Sequence, residues 1–203
     1  MDEVALIQAA KSGDLDAFNR LVIEYQGLAY NVALRILGDP AAAEDATQDA
    51  FVSAYRKLRT FRDGSFKAWL LRIVTNGCYD ELRRQKRRPT TSLEVETDNG
   101  EEIAQPSWMA DPGEGPDELA ERAALSRAIQ SCLDGMEDEF RAAVVLVDVL
   151  GLDYAEAAEA LERPLGTIKS RLARARVRMQ ECLQSFAELL PVEMRLNPEA
   201  TND

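Results

Sequence analysis

Apolar residues in this chain recur three and four positions apart over most of its length, and no run alternates apolar with polar residues as a half-buried strand would. Such spacing is satisfied only by helices that turn one face inward, so the expected fold class is all-α. Gly13, Gly38-Asp39-Pro40 and Asp63-Gly64-Ser65 interrupt the pattern as stop-and-start signals. Between the first two lies a long second helix with Leu21, Tyr25, Leu28, Val32 and Ile36 directed inward. From Pro89 to Asp117 the periodicity gives way to Pro, Thr, Gly and acids, among them Glu94, Glu96, Asp98, Glu101, Glu102, Asp111 and Glu114. It resumes at Leu119, Ala123, Ser126 and Ile129, continues through Phe140, Val144, Val147 and Leu150, and stops at Gly151. The expected organisation is two small helical domains, 1–88 and 118–190, joined by an acidic flexible linker, 89–117, with a tail over 191–203.

A net charge of -12 argues against nucleic acid as a partner until its distribution is considered. The cations crowd into two runs, Arg83-Arg84-Gln85-Lys86-Arg87-Arg88 and Lys169 to Arg178, while acids fill the segment between them. The chain has no histidine, and its three cysteines, Cys78, Cys132 and Cys182, form no CxxC pair. These facts remove the Ser/His/Asp triad, the Cys/His pair and mixed Cys/His zinc sites, so neither an enzyme nor a metal or other cofactor is expected. The cysteines are expected to be buried and reduced. No apolar segment approaches the roughly 20 residues that span a bilayer, and no leader pattern opens the chain; membrane insertion is not expected and a cytoplasmic location is.

In the second domain Asp153 and Glu156 have capping-box spacing, so a short helix is expected with Tyr154, Ala157, Ala158 and Leu161 inward. After Glu162-Arg163, Pro164 suits the first turn of a second helix reaching about Leu183. On that helix Leu165, Ile168, Leu172, Ala175 and Met179 share one face, while Lys169, Ser170, Ala173 and Arg174 share another. A helix-turn-helix with a basic outer face is what major-groove reading requires. Lys169, Ser170 and Ala173 are the candidates for base edges, and Arg171, Arg174, Arg176 and Arg178 for phosphates.

In the first domain Ala50, Phe51, Ala54, Tyr55 and Leu58 form an expected core stripe that leaves Asp45, Gln48, Asp49 and Val52 outside. The segment from Phe61 to Arg72 interleaves aromatics with cations, a mixture suited to unstacked bases, although Phe66 and Trp69 also have the spacing of core residues. Downstream, Arg72, Asn76, Tyr79 and Arg83 form a polar stripe. An amide such as Asn76 both donates and accepts, and so can read the pairing edge of a flipped base.

The segments Asp45 to Phe51, Tyr55-Arg56, Phe61-Arg62, Trp69 to Ile73, Asn76 and Asp80 to Arg84 resemble region two of the extracytoplasmic-function sigma factors of the sigma-70 family. Leu152 to Ala158 with Pro164 to Leu172 resembles their region four. The resemblance implies a subunit that docks on the two largest subunits of core RNA polymerase, with Asp45, Gln48, Asp49, Phe51 and Val52 as the region-two contact. It assigns the loop from Arg62 through Ser65 to Phe66, together with Trp69, Arg72, Asn76, Tyr79, Arg83, Arg84 and Arg87, to single-stranded DNA of the minus-ten element. Thr167, Lys169, Ser170, Arg171, Ala173, Arg174, Arg176 and Arg178 would meet the duplex minus-thirty-five element. An anti-sigma partner is implied by the family alone. The sequence departs from the family pattern at Asp63-Gly64-Ser65-Phe66, which leaves the lining of the base pocket open. The linker, with Trp108, reads either as an anionic strand for a cationic channel or as a plain tether. A free-standing DNA-binding regulator is the alternative function.

Overall fold

The computed structural model describes residues 2–62, 64–87 and 116–190, in the last stretch with side chains from Leu119 onward. Arg88, the tail and all of the expected linker up to residue 115, with Trp108, lie outside the described residues; its last two positions, Pro116 and Asp117, open a helix instead. Every regular element among the described residues is helical: α1 Glu3–Lys11, α2 Leu15–Leu37, α3 Pro40–Lys57, α4 Phe66–Arg87, α5 Pro116–Asp134, α6 Asp138–Val144, α7 Tyr154–Ala160 and α8 Leu165–Leu183. A π-helical stretch, Val145–Val149, continues α6.

The interruptions read from the sequence are helix ends with identifiable chemistry. The carboxylate of Asp14 accepts from the N–H groups of Asp16 and Ala17, opening α2. Gly38 closes it at φ 74°, a left-handed conformation that a side chain resists. A Cβ at Gly38 would also lie 2.9 Å from Oδ1 of Asp134 in α5, so a side chain there would displace that carboxylate. Asp39 then caps α3 and Pro40 occupies its first turn, where no donor is needed.

In the first unit Leu21, Val32 and Ile36 of α2 pack with Ala50, Ala54 and Leu58, and with Leu70, Leu71 and Val74 of α4. Tyr55 departs from the expected stripe and is 41 % exposed, its ring instead 5.0 Å from that of Phe18. In the second unit Leu133, Phe140, Val144, Val145, Leu172 and Ala175 form a smaller cluster. The units are not separate bodies: Leu146, Leu152, Ala157, Ala160 and Ile168 of the second belong to the apolar cluster of the first. Side chains of this size contribute roughly 2 kcal/mol each when fully buried, and Leu146 and Ile168 are both fully buried.

Two arginines complete that junction. Arg141, 7 % exposed, donates to the carbonyls of Ile36, Asp134 and Met136, tying the C-terminal end of α2 to that of α5. Arg35 donates to the Ser126 carbonyl and hydroxyl and to Gln130 Oε1, and burial lowers the pKa of its guanidinium. Ion pairs Lys67–Glu156, Arg72–Glu162 and Lys86–Asp138 border it at 2.6, 3.2 and 2.8 Å. Exposed pairs of this kind contribute about 0–1 kcal/mol each. The apolar contacts and the two arginines therefore hold the units together.

Of the three cysteines expected to be buried and reduced, two are bonded to each other in this structure, and one of these, Cys182, is only half-buried. Cys132 and Cys182 are joined by a disulfide between α5 and the last turn of α8, with Cα atoms 5.7 Å apart. Their separation of 50 residues hid a proximity created only when the two helices pack. Cys78 is free and buried, and burial pushes its thiol up to about 12.

Candidate nucleic-acid interface

The helix-turn-helix follows from its local sequence. Asp153 accepts from the N–H groups of Ala155 and Glu156, and Glu156 Oε2 accepts from the Asp153 N–H, so the capping box that opens α7 is complete. Beyond α7 the chain turns at Glu162, a non-glycine residue at φ 50°. Pro164 precedes the first turn of α8 and its carbonyl accepts from the N–H groups of Thr167 and Ile168. Ile168, Leu172 and Ala175 are buried, which fixes the rotation of α8 and turns Lys169, Ser170, Ala173 and Arg174 outward. Two expected core residues are instead exposed, Tyr154 at 36 % and Leu165 at 42 %, because each opens its helix at the turn, ahead of the packed face.

The arginines of α8 divide into two groups. Arg171 pairs with Glu139, Arg176 makes a bidentate pair with Asp148 at 2.9 and 2.7 Å, and Arg178 reaches Glu137 at 3.2 Å while stacking 4.7 Å above Phe140. The hydrogen bond to Asp148 raises the pKa of Arg176 above its ordinary value. These three cations lean back onto α6 and its extension. Lys169 and Arg174 have no such carboxylate among the described residues, so the free positive charge of α8 sits in its N-terminal half, beside Ser170 and Ala173. The Ser170 hydroxyl donates to the Thr167 carbonyl, and Thr167 itself is half-buried.

The first unit offers a different surface. α4 begins with the Ser65 hydroxyl accepting from the Ala68 N–H, so Ser65 serves as a cap. Phe66 and Trp69 were candidates for base stacking; they are 3 % and 7 % exposed and pack with Phe61 and Tyr25. Their helical spacing was the signal of core. Arg62 and Asn76 are exposed, Arg72 is half-buried, and Arg83, Arg84 and Arg87 extend along solvent. Arg83 and Arg84 are paired within the helix to Asp80 and Glu81 at 2.9 and 2.7 Å, and the Arg84 hydrogen bond lowers the Glu81 carboxyl.

A groove of about 980 Å³ between α3 and α4 is lined by Asp45, Gln48 and Asp49 on one side and Arg72, Asn76 and Arg84 on the other. The acidic outer face of α3 and the polar stripe of α4 are thus two walls of one depression. Val52 is 48 % exposed beside them, whereas Phe51 is buried beneath and supports the face without lining it. A second cavity, of about 500 Å³, lies at the junction of the units. There Asn76, Tyr79 and Arg83 face Asp138, Glu139 and Glu162. Burial pushes the Tyr79 hydroxyl up to about 12, so it stays neutral and can donate.

Sequence reasoning missed the acids that α4 faces, and it missed Arg35 and Arg141. A signal existed for the latter: Arg141 interrupts Phe140-Ala142-Ala143-Val144, a run otherwise fully buried, where a charge needs partners.

Comparison with known proteins gives the geometry a lineage. Sigma-70 region 2 matches residues 21–88 and sigma-70 region 4 matches residues 126–179. The chain is 34 % identical over 169 residues to the extracytoplasmic-function sigma factor SigE of Mycolicibacterium smegmatis, covering 83 % of this chain and 62 % of that protein. It is 32 % identical over 180 residues to the RNA polymerase sigma-H factor of Pseudomonas aeruginosa, covering 88 % and 92 %. The co-crystal structure of the sigma factor RpoE with the anti-sigma factor NepR from Bartonella quintana superposes with a TM-score of 0.62 at 28 % identity, over 82 % of this chain and 96 % of that one. The chain therefore belongs to the sigma-70 family, as a sigma factor of the extracytoplasmic-function group.

Proposed function

We propose that the protein binds core RNA polymerase in the bacterial cytoplasm and directs it to promoters, reading the minus-thirty-five element as duplex and melting the minus-ten element. It has no catalytic role of its own in this reading. The observation that carries it is the pairing of two chemically different faces: the exposed Lys169, Ser170, Ala173 and Arg174 on α8, and the exposed Asn76 and Arg62 with the half-buried Arg72 on the first unit. The cationic face suits a major groove. The amide suits a base taken out of the stack, and unstacking at a few kcal/mol per step is offset by the contacts that capture the base.

Asp45, Gln48, Asp49 and Val52 form the surface for the largest polymerase subunit, with the second unit directed to the other large subunit. An anti-sigma factor is a further partner, as in the complex with NepR. The closed arrangement has to open on promoter DNA. Elements about 25 base pairs apart lie roughly 85 Å apart along a duplex that rises about 3.4 Å per pair, whereas Asn76 and Arg171 line a single cavity here. The test is complex formation with core polymerase followed by size exclusion. A stable one-to-one complex weakened by Asp45→Lys and Asp49→Lys is expected. Failure of the unaltered protein to bind core, with duplex binding retained, would favour a free-standing regulator.

A further inference from the structure

We infer that Cys132 and Cys182 form a modification site: a dithiol that a hydroperoxide closes to a disulfide, stapling α5 to the recognition helix α8. The inference does not rest on how either unit meets DNA; only the resting redox state follows from the proposed cytoplasmic location, where the reduced pair is expected.

The two sulfurs are bonded across helices whose Cα atoms stand 5.7 Å apart, within the range that accepts a disulfide without backbone movement. Their environments differ. Cys132 is 3 % exposed in the core of the second unit, whereas Cys182 is half-buried in the last turn of α8. Cys182 is therefore the thiol that a small oxidant reaches, and Cys132 the one that resolves it. In the first step the Cys182 thiolate attacks hydrogen peroxide. An S–O bond forms, the O–O bond breaks, and the departing hydroxide takes up a proton to become water. The Cys132 sulfur then attacks the sulfenic sulfur; the S–S bond forms, the S–O bond breaks, and a second water leaves with the Cys132 proton. Each sulfur loses one electron and the peroxide gains two. A dithiol reductant reverses the change by exchange.

The location gives the bond a consequence. Cys132 lies between Gln130 and Asp134, the α5 residues that meet Arg35 and Gly38 of the first unit. Cys182 is more than two helical turns beyond Arg174, so closure leaves the exposed face of Lys169, Ser170, Ala173 and Arg174 unaltered. Oxidation thus stabilises the second unit and the α5 platform without touching the side chains that would meet DNA. Cys78, buried in the first unit with its thiol pushed up to about 12, is an internal control that does not react.

The test treats reduced full-length protein with hydrogen peroxide, counts thiols under denaturing conditions and measures thermal melting. The unaltered protein is expected to lose two thiols and two mass units, to yield one cross-linked peptide pair containing Cys132 and Cys182, and to melt roughly 10 °C higher. Cys132→Ser should accumulate a sulfenic acid on Cys182 that dimedone traps, and Cys182→Ser should leave Cys132 unreacted. Neither variant should gain stability on oxidation. Oxidation of Cys78 in preference, intermolecular dimers through Cys182, or a closed bond without a change in melting would each overturn the inference.

Discussion

Helices α4 and α8 both carry runs of arginine, yet the structure holds the two runs differently. On α8 the partners come from within the same unit: Asp148 and Glu137 hold Arg176 and Arg178 against α6 and its extension, leaving Lys169 and Arg174 in the N-terminal half of the helix without a carboxylate partner among the described residues. On α4 they come from the helix itself, at Asp80 and Glu81, and from the other unit, at Asp138 and Glu162. The difference teaches that a run of cations in sequence is not a uniform surface. α8 offers a small cationic patch on a packed support, whereas α4 offers an amide and cations partly covered by acids of its own helix and of the other unit.

The largest expected effect concerns what holds the two regions together. Arg141→Ala leaves three backbone carbonyls without their donor and should destabilise the protein by about 3–5 kcal/mol in urea unfolding; a cost under about 1 kcal/mol would mean that the junction rests on the apolar contacts and Arg35. Next comes alkaline stability, which probes α4 together with Tyr25 and Tyr30 of α2, whose hydroxyls burial also raises. Cys78 and Tyr79 are each raised by burial from ordinary values of 9.0 and 10.0 to about 12. A raised folded value gives stability that is fully present below the unfolded pKa and lost as pH rises through the folded one. Stability should therefore fall between about pH 9 and 12, by up to about 1.4 kcal/mol per pH unit for each group, and Cys78→Ala should make the fall shallower. A flat profile over that range would contradict the burial of both groups.

Within α8 the comparison becomes finer. Lys169→Ala should change upstream sequence preference by about 1–3 kcal/mol at one base pair, measured by competition binding of the polymerase complex. Arg174→Ala should weaken binding to all sequences and reduce the salt slope by about one unit. Arg176→Ala, whose charge Asp148 already balances, should change that slope by less than half as much; an equal change would show that Asp148 releases its partner on DNA. The smallest effect is expected from Asn76→Ala, which should alter preference at one downstream base while leaving melting temperature and core binding unchanged. Loss of folding would reassign this exposed amide to structure.

Much of this architecture was legible because helical spacing, caps and breakers are local. The capping box at Asp153 and Glu156, the stop at Gly38 and the inward set Ile168, Leu172 and Ala175 all rest on residues within a turn or two of one another. The candidate site was less legible wherever its character depends on distant residues. Phe66 and Trp69 combine the composition of a stacking platform with the spacing of core, and packing against Tyr25 and Phe61 decides for core. The partners of Arg171, Arg176 and Arg178 lie 28 to 41 residues earlier, and the disulfide closes over 50. Tyr154 and Leu165 read as core by type and register, but a helix at its first residue has not yet met its neighbour.

The most direct measurement is transcription of genomic DNA by core polymerase with and without the protein, with start sites mapped. The account predicts a set of starts that require the protein, each preceded by two shared elements at fixed spacing, with Lys169→Ala degrading selection of the upstream element only and Asn76→Ala that of the downstream element only. Starts identical to those of core alone, or one shared element altered equally by both substitutions, would contradict it.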